Sequence, residues 1–216
     1  MKINLKLLES NTYISSNILN LMKDKLTSAF NRSIPNIINK FKDELENSIK
    51  KQPEYISLTN GNLRLEFGIR DATSSVDTII NSIIDTTNFE FKNINNTTRS
   101  LTGGFSINCL SFQNLSDIIN SSSAFVNDDV RGYQLPWLKW LLVEGTKPIV
   151  KNYAVKFGPN KSSRTGMAVM VNSSSNWSVP SEFAGTISSN WISRAIDDIS
   201  DLFISSIIEN EIRKNL

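Results

Sequence analysis

The sequence contains no histidine, and therefore lacks the only side chain whose ordinary pKa lies near neutrality and the commonest protein ligand of metal ions. This absence excludes catalysis by Ser-His or Cys-His pairs and most kinds of zinc site. The single cysteine, Cys109, lies in the alternating apolar segment FSINCLSF, which predicts a small buried residue in a strand rather than a reactive thiolate. One cysteine forms no internal disulfide bond, as is typical of proteins that fold in a reducing cytoplasm.

Long hydrophobic runs are also missing. No segment approaches the roughly 18 consecutive apolar residues that a membrane span needs, and polar residues interrupt the stretch MKINLKLLESNTY too often for a signal peptide. Neither sign of charge is in excess, because 23 Lys and Arg residues face 21 Asp and Glu residues. The net charge of +2 is too small to indicate nucleic-acid binding through a long-range field. We expect a soluble protein that is neither exported nor bound to a membrane.

Acidic doublets at residues 128–129 and 197–198 are the remaining candidates for catalysis or metal binding. Neighbouring side chains on a helix point apart, and neither doublet has the converging ligands that a site needs. Solvated surface positions are the simpler interpretation of both. We therefore predict no metal site, no cofactor and no enzymatic activity; carboxylate-only chemistry is the one enzymatic alternative that the composition leaves open.

Apolar residues at three- and four-residue steps predict two amphipathic helices at the start of the chain, over residues 14–30 and 34–49. The break between them is predicted at Ser33-Ile34-Pro35, where Ser33 would cap the second helix and Pro35 would lie in its first turn. After a turn signal at residues 59–61, the next segment alternates apolar and polar residues, which predicts a half-buried strand. Its apolar positions are Leu63, Leu65, Phe67 and Ile69.

Residues 71–132 have the pattern of an insertion or extension with its own small elements. Helical spacing predicts a helix over residues 71–87, and a short one that starts at Asn114. Between them, alternation predicts strands at residues 89–94 and 105–109, with a turn or bulge at Gly103-Gly104.

The remaining segment alternates helical and strand patterns. Pro136 can open a helix that ends at Gly145, although a buried strand fits the same apolar run. Residues 153–157 and 167–171 alternate and predict a hairpin, and Asn190 is a good cap for a long last helix. The chain is therefore predicted to be a single α+β domain over residues 1–216, with N-terminal helices, a central antiparallel sheet and a long C-terminal helix.

The connection of the predicted hairpin, GPNKSSRTG, is long and basic. It lacks the spacing of a P-loop and joins two strands rather than a strand and a helix, so it does not predict a phosphate cradle. A solvated hairpin tip is the simpler interpretation. The alternative is a loop that contacts a partner or faces DNA, where Lys156, Lys161 and Arg164 would act through backbone electrostatics without reading bases.

Four tryptophans are the most prominent aromatic residues, at positions 137, 140, 177 and 191. Core packing and contacts between subunits are favoured over a ligand groove, because large aromatic side chains are most often core or interface anchors. Arg194 lies in the first turns of the predicted last helix. A buried bidentate pair with Glu144 or Glu182 is a further structural hypothesis.

In their order along the chain, these features resemble the tail-completion, or head-tail joining, proteins of tailed bacteriophages, also described as neck or minor tail proteins. The family's Thr-Gly-x-Leu-Arg turn and strand is similar to TNGNLR at residues 59–64, which has one extra residue before the glycine. Its strand ending in acidic-x-Gly-Thr is similar to VEGT at residues 143–146, without the intervening residue. Its aromatic-x-Arg-x-Ala entry into a C-terminal helix is similar to WISRA at residues 191–195. Residues 71–132 have no clear counterpart.

The resemblance implies a structural, non-enzymatic protein of the virion, assembled in the host cytoplasm. It implies a homo-oligomeric ring of six subunits that joins the portal or connector to the tail terminator or tail tube, and through which viral DNA passes. Lys156, Lys161 and Arg164 are then candidates for a partner or channel loop. The candidate structural and interface anchors are Trp137, Trp140, Glu144, Gly145, Thr146, Trp191 and Arg194. The alternatives are another head-tail or tail component, such as a terminator, connector or baseplate protein, and a phage accessory enzyme or nucleic-acid-binding protein.

Overall fold

A computed structural model describes residues 9–97, 100–128 and 132–216 of the chain. The predicted α+β class is confirmed: a long N-terminal helix, small antiparallel strand pairs and a C-terminal helix make up the fold. The strands of the described residues form three separate two-stranded sheets. Asp129, one of the predicted surface carboxylates, lies outside the described residues.

Four helices open the described chain, three strand pairs separated by short helices follow, and two helices end it. The helices are α1 (Asn11–Lys51), α2 (Pro53–Asn60), α3 (Asn62–Phe67), α4 (Ala72–Asp85), α5 (Phe112–Ile119), α6 (Trp137–Lys139), α7 (Trp191–Asp197) and α8 (Asp201–Asn215). A 3-10 turn covers Ser122–Ala124, and α6 continues as a π-helix over Trp140–Glu144. The antiparallel pairs are β1 (Asn88–Asn96) with β2 (Leu101–Asn108), β3 (Val126–Asp128) with β4 (Tyr133–Leu135), and β5 (Tyr153–Phe157) with β6 (Ala168–Asn172).

The chain divides into two compact units. The first contains residues 1–41, 88–108 and 201–216, and the second contains residues 42–87 and 109–200. The expectation of a single domain with residues 71–132 as an insertion stays a prediction.

The first helix, α1, runs unbroken from Asn11 to Lys51, so the predicted break into two helices is wrong. Pro35 lies inside the helix, where its ring removes one backbone hydrogen bond at a cost of about 3 kcal/mol. Ser33 is buried and does not cap a helix. Its hydroxyl lies 2.8 Å from the carbonyl oxygens of both Ala29 and Glu211, and it accepts a hydrogen bond from the Asn215 side chain. Packing against α8 therefore outweighs the local signal for a helix boundary.

The first unit packs aromatic residues of the β1–β2 hairpin against α1. The rings of Phe30 and Phe91 lie 5.8 Å apart edge to face, and Phe41 meets Phe89 at the same distance. The predicted strands are confirmed. The bulge suggested by Gly103-Gly104 is also present, because two residues of β1, at positions 93 and 94, oppose the single residue Gly103.

Glu211 of α8 is a buried carboxylate held by cations. Its side chain is 2% exposed, and its Oε1 lies 2.7 Å from Lys40 Nζ and 2.8 Å from Lys214 Nζ. Asn36 donates a further hydrogen bond to Oε2. The hydrogen bonds from Lys214 and then Lys40 lower the pKa of Glu211 from 4.5 to about 2. The ionised carboxylate therefore stabilises the folded chain.

Replacing this carboxylate is expected to change stability in a pH-dependent way. Because the folded pKa is lowered, the stabilisation is complete above pH 4.5 and is lost as the pH falls towards 2. Glu211→Gln should lower the free energy of unfolding at pH 7, and the difference from wild type should shrink in urea titrations below pH 4.5. Glu209→Gln, at an exposed pair with Arg213, is the control and should change little. A deficit of Glu211→Gln that is equal at pH 7 and pH 2.5 would refute this.

The second unit differs from prediction at α3. Residues 62–67 form a helix rather than the predicted strand. Leu63 and Phe67 are both buried, and a spacing of four residues is shared by one face of a helix and one face of a strand. Gly68 then ends the helix in the left-handed conformation, with φ of 70°. The alternation at Leu65 was coincidental, because that side chain is only half-buried.

The remaining sequence predictions agree more closely with the structure. α4, α5 and the β5–β6 hairpin are confirmed, as is the helix that follows Pro136. α5 begins at Phe112 rather than at the predicted Asn114, and Ser111 caps it by accepting the Asn114 backbone N–H. The predicted single last helix is wrong, because it is divided into α7 and α8 between residues 197 and 201. Asp201 lies in the first turn of α8, where a carboxylate favours the start of a new helix.

Candidate functional site

The segment from α6 to the π-helix carries three of the predicted anchors, Trp137, Trp140 and Glu144. Trp137 is fully buried and donates its indole N–H to the carbonyl oxygen of Ser123 at 3.0 Å. Trp140 is half-buried. π-helical turns are rare and recur at functional sites, so the contacts that hold this one are informative.

A close contact between backbones holds the end of the π-helix. Gly145 adopts φ of 65°, which L-residues rarely adopt, and its N–H donates to the carbonyl oxygen of Gly185 at 3.0 Å. A Cβ atom at Gly185 would overlap the carbonyl oxygen of Leu141 and lie 2.7 Å from Cβ of Asn190. Two glycines are therefore required at this junction. Thr146, the next predicted anchor, is exposed.

Asn190 connects the same junction to α7. Its Oδ1 accepts hydrogen bonds from the backbone N–H groups of Ile192 and Ser193, which confirms the predicted cap. Its Nδ2 donates to the carbonyl oxygens of Thr186 at 2.9 Å and Leu142 at 3.4 Å. One side chain thus starts α7 and satisfies a carbonyl of the π-helix.

The first turns of α7 contain the other two anchors. Trp191 is fully buried, and its indole nitrogen has no hydrogen-bond partner among the described residues. Arg194 forms a short ion pair with Glu54 of α2, whose side chain is 1% exposed. The proposed pairs of Arg194 with Glu144 or Glu182 are therefore wrong. Glu54 lies 140 residues away in sequence, so no local pattern could identify it.

Glu144 instead contacts two lysines. Its carboxylate oxygens lie 2.6 Å from Lys147 Nζ and 3.2 Å from Lys139 Nζ. The hydrogen bonds from Lys147 and Lys139 lower the pKa of Glu144. The VEGT motif is thus the end of a helix, and its glutamate stays on the surface beside its own helix.

The long connection between β5 and β6 is ordered by its own hydrogen bonds. Asn160 N–H donates to Gly166 O at 2.8 Å, and the Asn160 side chain accepts the Ser162 N–H at 2.9 Å. Lys156 and Lys161 are exposed. Arg164 is half-buried and donates to the carbonyl oxygen of Asn127 at 3.3 Å. Arg164 therefore lies against the strand β3, whereas Lys156 and Lys161 remain exposed, and the role of the three cations stays a prediction.

A cleft of about 480 Å³ lies between this loop, α3 and β4. Glu66 lines it and accepts a hydrogen bond from the indole N–H of Trp177 at 3.3 Å. Burial raises the pKa of Glu66, and the nearby Glu182 raises it further, while the bond from Trp177 lowers it. Cations on the cleft wall are Arg70, Lys161 and Arg164. Sequence patterns missed this cleft, since Glu66 occupied a polar position of a strand that does not exist.

Other chemical sites are few in the ranges that the structure covers. No group of three or more His, Cys, Asp or Glu residues that could hold a metal ion occurs among the described residues. Cys109 is buried just after β2, and burial raises the pKa of its thiol to about 11. In the same described ranges, no helix combines the length and apolar character needed to cross a membrane.

No protein-family model, curated protein or solved structure matches this chain. The resemblance to tail-completion proteins therefore stays a prediction from residues alone. Of its three motifs, residues 191–195 begin a helix, but that helix is the short α7 and not the C-terminal helix α8. Residues 59–64 instead join two helices, and residues 143–146 end a helix rather than a strand.

Proposed function

We propose that this chain is a structural subunit of a tailed-bacteriophage neck, of the tail-completion or head-tail joining type. The observation that carries the proposal is the β5–β6 hairpin, whose apolar side chains are uncovered. Tyr153, Phe157, Met167 and Val171 are between 37% and 47% exposed. Both outer edges of this two-stranded sheet are unpaired in the described chain. Uncovered apolar surface and open strand edges are features that partner proteins cover.

The base of the hairpin is fixed, and the four exposed apolar side chains lie beyond that base. Val150 and Trp177 pair across the base through backbone hydrogen bonds of 2.8 Å and 3.2 Å. Trp177 packs its ring edge to face on Phe67, with centroids 5.6 Å apart, and bonds to Glu66 on α3. A rigid base lets a hairpin present its apolar side chains without a large entropic cost on binding.

In the proposed ring, the hairpin of one subunit packs against a different surface of the next subunit. Such head-to-tail contacts close into a ring when the rotation between subunits allows it. The portal or connector would lie on one side of the ring and the tail terminator or tail tube on the other. Exposed Lys156 and Lys161 would face a neighbour or the passing DNA, whose phosphates attract cations without sequence preference. The near-neutral net charge of +2 suits a channel that must not retain DNA.

Charges placed on the hairpin test this function. The double variant Phe157→Glu, Val171→Glu should fold normally, because exposed positions tolerate substitution within about 0.5 kcal/mol. Phe157 and Val171 lie on opposite faces of the hairpin, so a carboxylate would be buried whichever face forms the subunit contact. Tail-bearing particles, counted by negative-stain electron microscopy, should therefore fall at least about tenfold. Ile56→Glu is the matched control, because Ile56 is also exposed and apolar but lies on α2. Normal numbers of tailed particles with the double variant would exclude the hairpin as the contact.

A further inference from the structure

The cleft beside α3 has more positive charge on its wall than its own carboxylate can balance. Arg70, Lys161 and Arg164 line it. None of the three forms an ion pair with a carboxylate whose side chain the structure describes, a set that excludes residues 128 and 129. The acceptor of Arg164 is the backbone carbonyl of Asn127, which is uncharged. Unpaired cations converging on a cleft are suited to bind an anion.

Apolar side chains also line the same cleft. Among them are Leu65, Val155 and Trp177. Its volume of about 480 Å³ falls within the roughly 300–1,000 Å³ of pockets that bury most of a drug-sized ligand. The cleft therefore has the size of a short peptide segment and combines apolar surface with cationic groups.

Glu66 gives the cleft an acceptor as well. Its carboxylate is already bonded to the Trp177 indole N–H, and it lies near enough to Glu182 to be affected by its charge. These two carboxylates disfavour a ligand of continuous negative charge, such as a nucleic-acid backbone, more than a peptide whose carboxylates are spaced apart. A peptide has spaced carboxylates and backbone N–H donors, so it can contact the cations and Glu66 together.

We propose that this cleft binds a short acidic peptide segment of a neighbouring virion protein. Carboxylates of the segment lie against Arg70, Lys161 and Arg164, and an intervening apolar side chain lies against Leu65 and Val155. The inference rests on the proposed function for the source of the segment, whereas the binding chemistry depends only on the cleft. It explains why the connection between β5 and β6 is long and ordered, because the loop supplies two of the three cations.

Peptide binding to the isolated chain tests the inference. The probes are fluorescein-labelled, acetylated hexapeptides that alternate Asp or Glu with Leu or Phe, with amide versions carrying Asn or Gln as controls. Fluorescence anisotropy should give Kd values below about 1 mM for acidic peptides, and at least tenfold weaker binding for the amide versions. Arg70→Gln with Lys161→Gln should weaken acidic binding roughly tenfold, since two charge-assisted contacts are lost. Lys156→Gln, on the same hairpin but outside the cleft, should change Kd less than about twofold.

Three outcomes would overturn the inference. The first is that no acidic hexapeptide binds with Kd below about 1 mM. The second is that Lys156→Gln weakens binding as much as the double variant, which indicates general surface attraction. The third is that a labelled oligothymidylate binds more tightly than every acidic peptide, which identifies nucleic acid as the ligand. A different result is that the acidic peptides bind specifically although the protein is absent from phage necks. It would refute the proposed function but support the binding chemistry of the cleft.

Discussion

Replacing Gly185 by alanine is expected to lower the free energy of unfolding by about 3 kcal/mol or more, at the upper end of the cost of overpacking. The added Cβ would overlap the carbonyl oxygen of Leu141 and lie close to Cβ of Asn190. Neither obstacle is the free end of a flexible side chain, so the π-helix or the segment around Gly185 has to move. The hydrogen bond from Gly145 N–H to the carbonyl oxygen of Gly185 would weaken at the same time. Urea denaturation at pH 7 measures the change.

Gly104→Ala is the matched control for this experiment. Nothing lies within 4 Å of a Cβ built at Gly104, and its backbone lies in β2. Alanine there should be neutral or slightly stabilising, because it reduces the freedom of the unfolded chain. Equal stability of Gly185→Ala and Gly104→Ala would contradict the tight junction between residues 141–145 and 185.

Removing Arg194 is expected to destabilise the protein by about 3 kcal/mol, the lower end of the range for a broken buried ion pair. Arg194→Ala leaves the nearly fully buried carboxylate of Glu54 without its cation. The Arg194 side chain is 39% exposed, so we expect a loss of stability near the lower end of that range. The free energy of unfolding at pH 7, from urea denaturation, is again the measurement.

Two further variants separate the ion pair from general effects of losing an arginine. Arg213→Ala removes the cation of an exposed pair with Glu209 and should cost less than about 1 kcal/mol. The double change Glu54→Met, Arg194→Leu should recover most of the stability, since apolar residues of similar size can replace a buried ion pair. If Arg194→Ala lowers the free energy of unfolding no more than Arg213→Ala does, the ion pair with Glu54 does not stabilise the position of α7.

Elements with one dominant period could be predicted from the sequence. In α4, Val76, Ile79, Ile80, Ile83 and Ile84 repeat with helical spacing, and all five are buried. In the β5–β6 hairpin, alternation on both sides of a glycine-containing loop gave the correct pairing. The cap at Asn190 also followed from local chemistry, because an Asx side chain accepts the N–H groups of the residues that follow it.

Elements whose local signals compete with packing were predicted wrongly. The Ser33–Pro35 break failed because Ser33 contacts Glu211 and Asn215, which are about as distant in sequence as the chain permits. The strand at residues 63–69 was predicted wrongly because Leu63 and Phe67 fit both periods, and only the partial exposure of Leu65 in the folded chain distinguishes the helix from the strand. Periodicity shows which residues are apolar, but it does not show which part of the fold they pack against.

The candidate site was predictable in part for a related reason. Its aromatic and glycine residues stand out in composition, and the structure brings residues 137–145 and 185–194 together. The Arg194–Glu54 pair and the Glu66–Trp177 contact join residues more than 100 positions apart. Neither contact leaves a local pattern in the sequence, because its two partners come together only when distant segments of the chain pack.

The most direct test of the proposed function is a cryo-electron microscopy reconstruction of the neck of phage particles that carry this protein. We predict a closed ring of copies between the portal or connector and the tail, with the β5–β6 hairpin at the contact between neighbouring subunits. A neck reconstruction at side-chain resolution that contains no density for this chain would contradict the proposal.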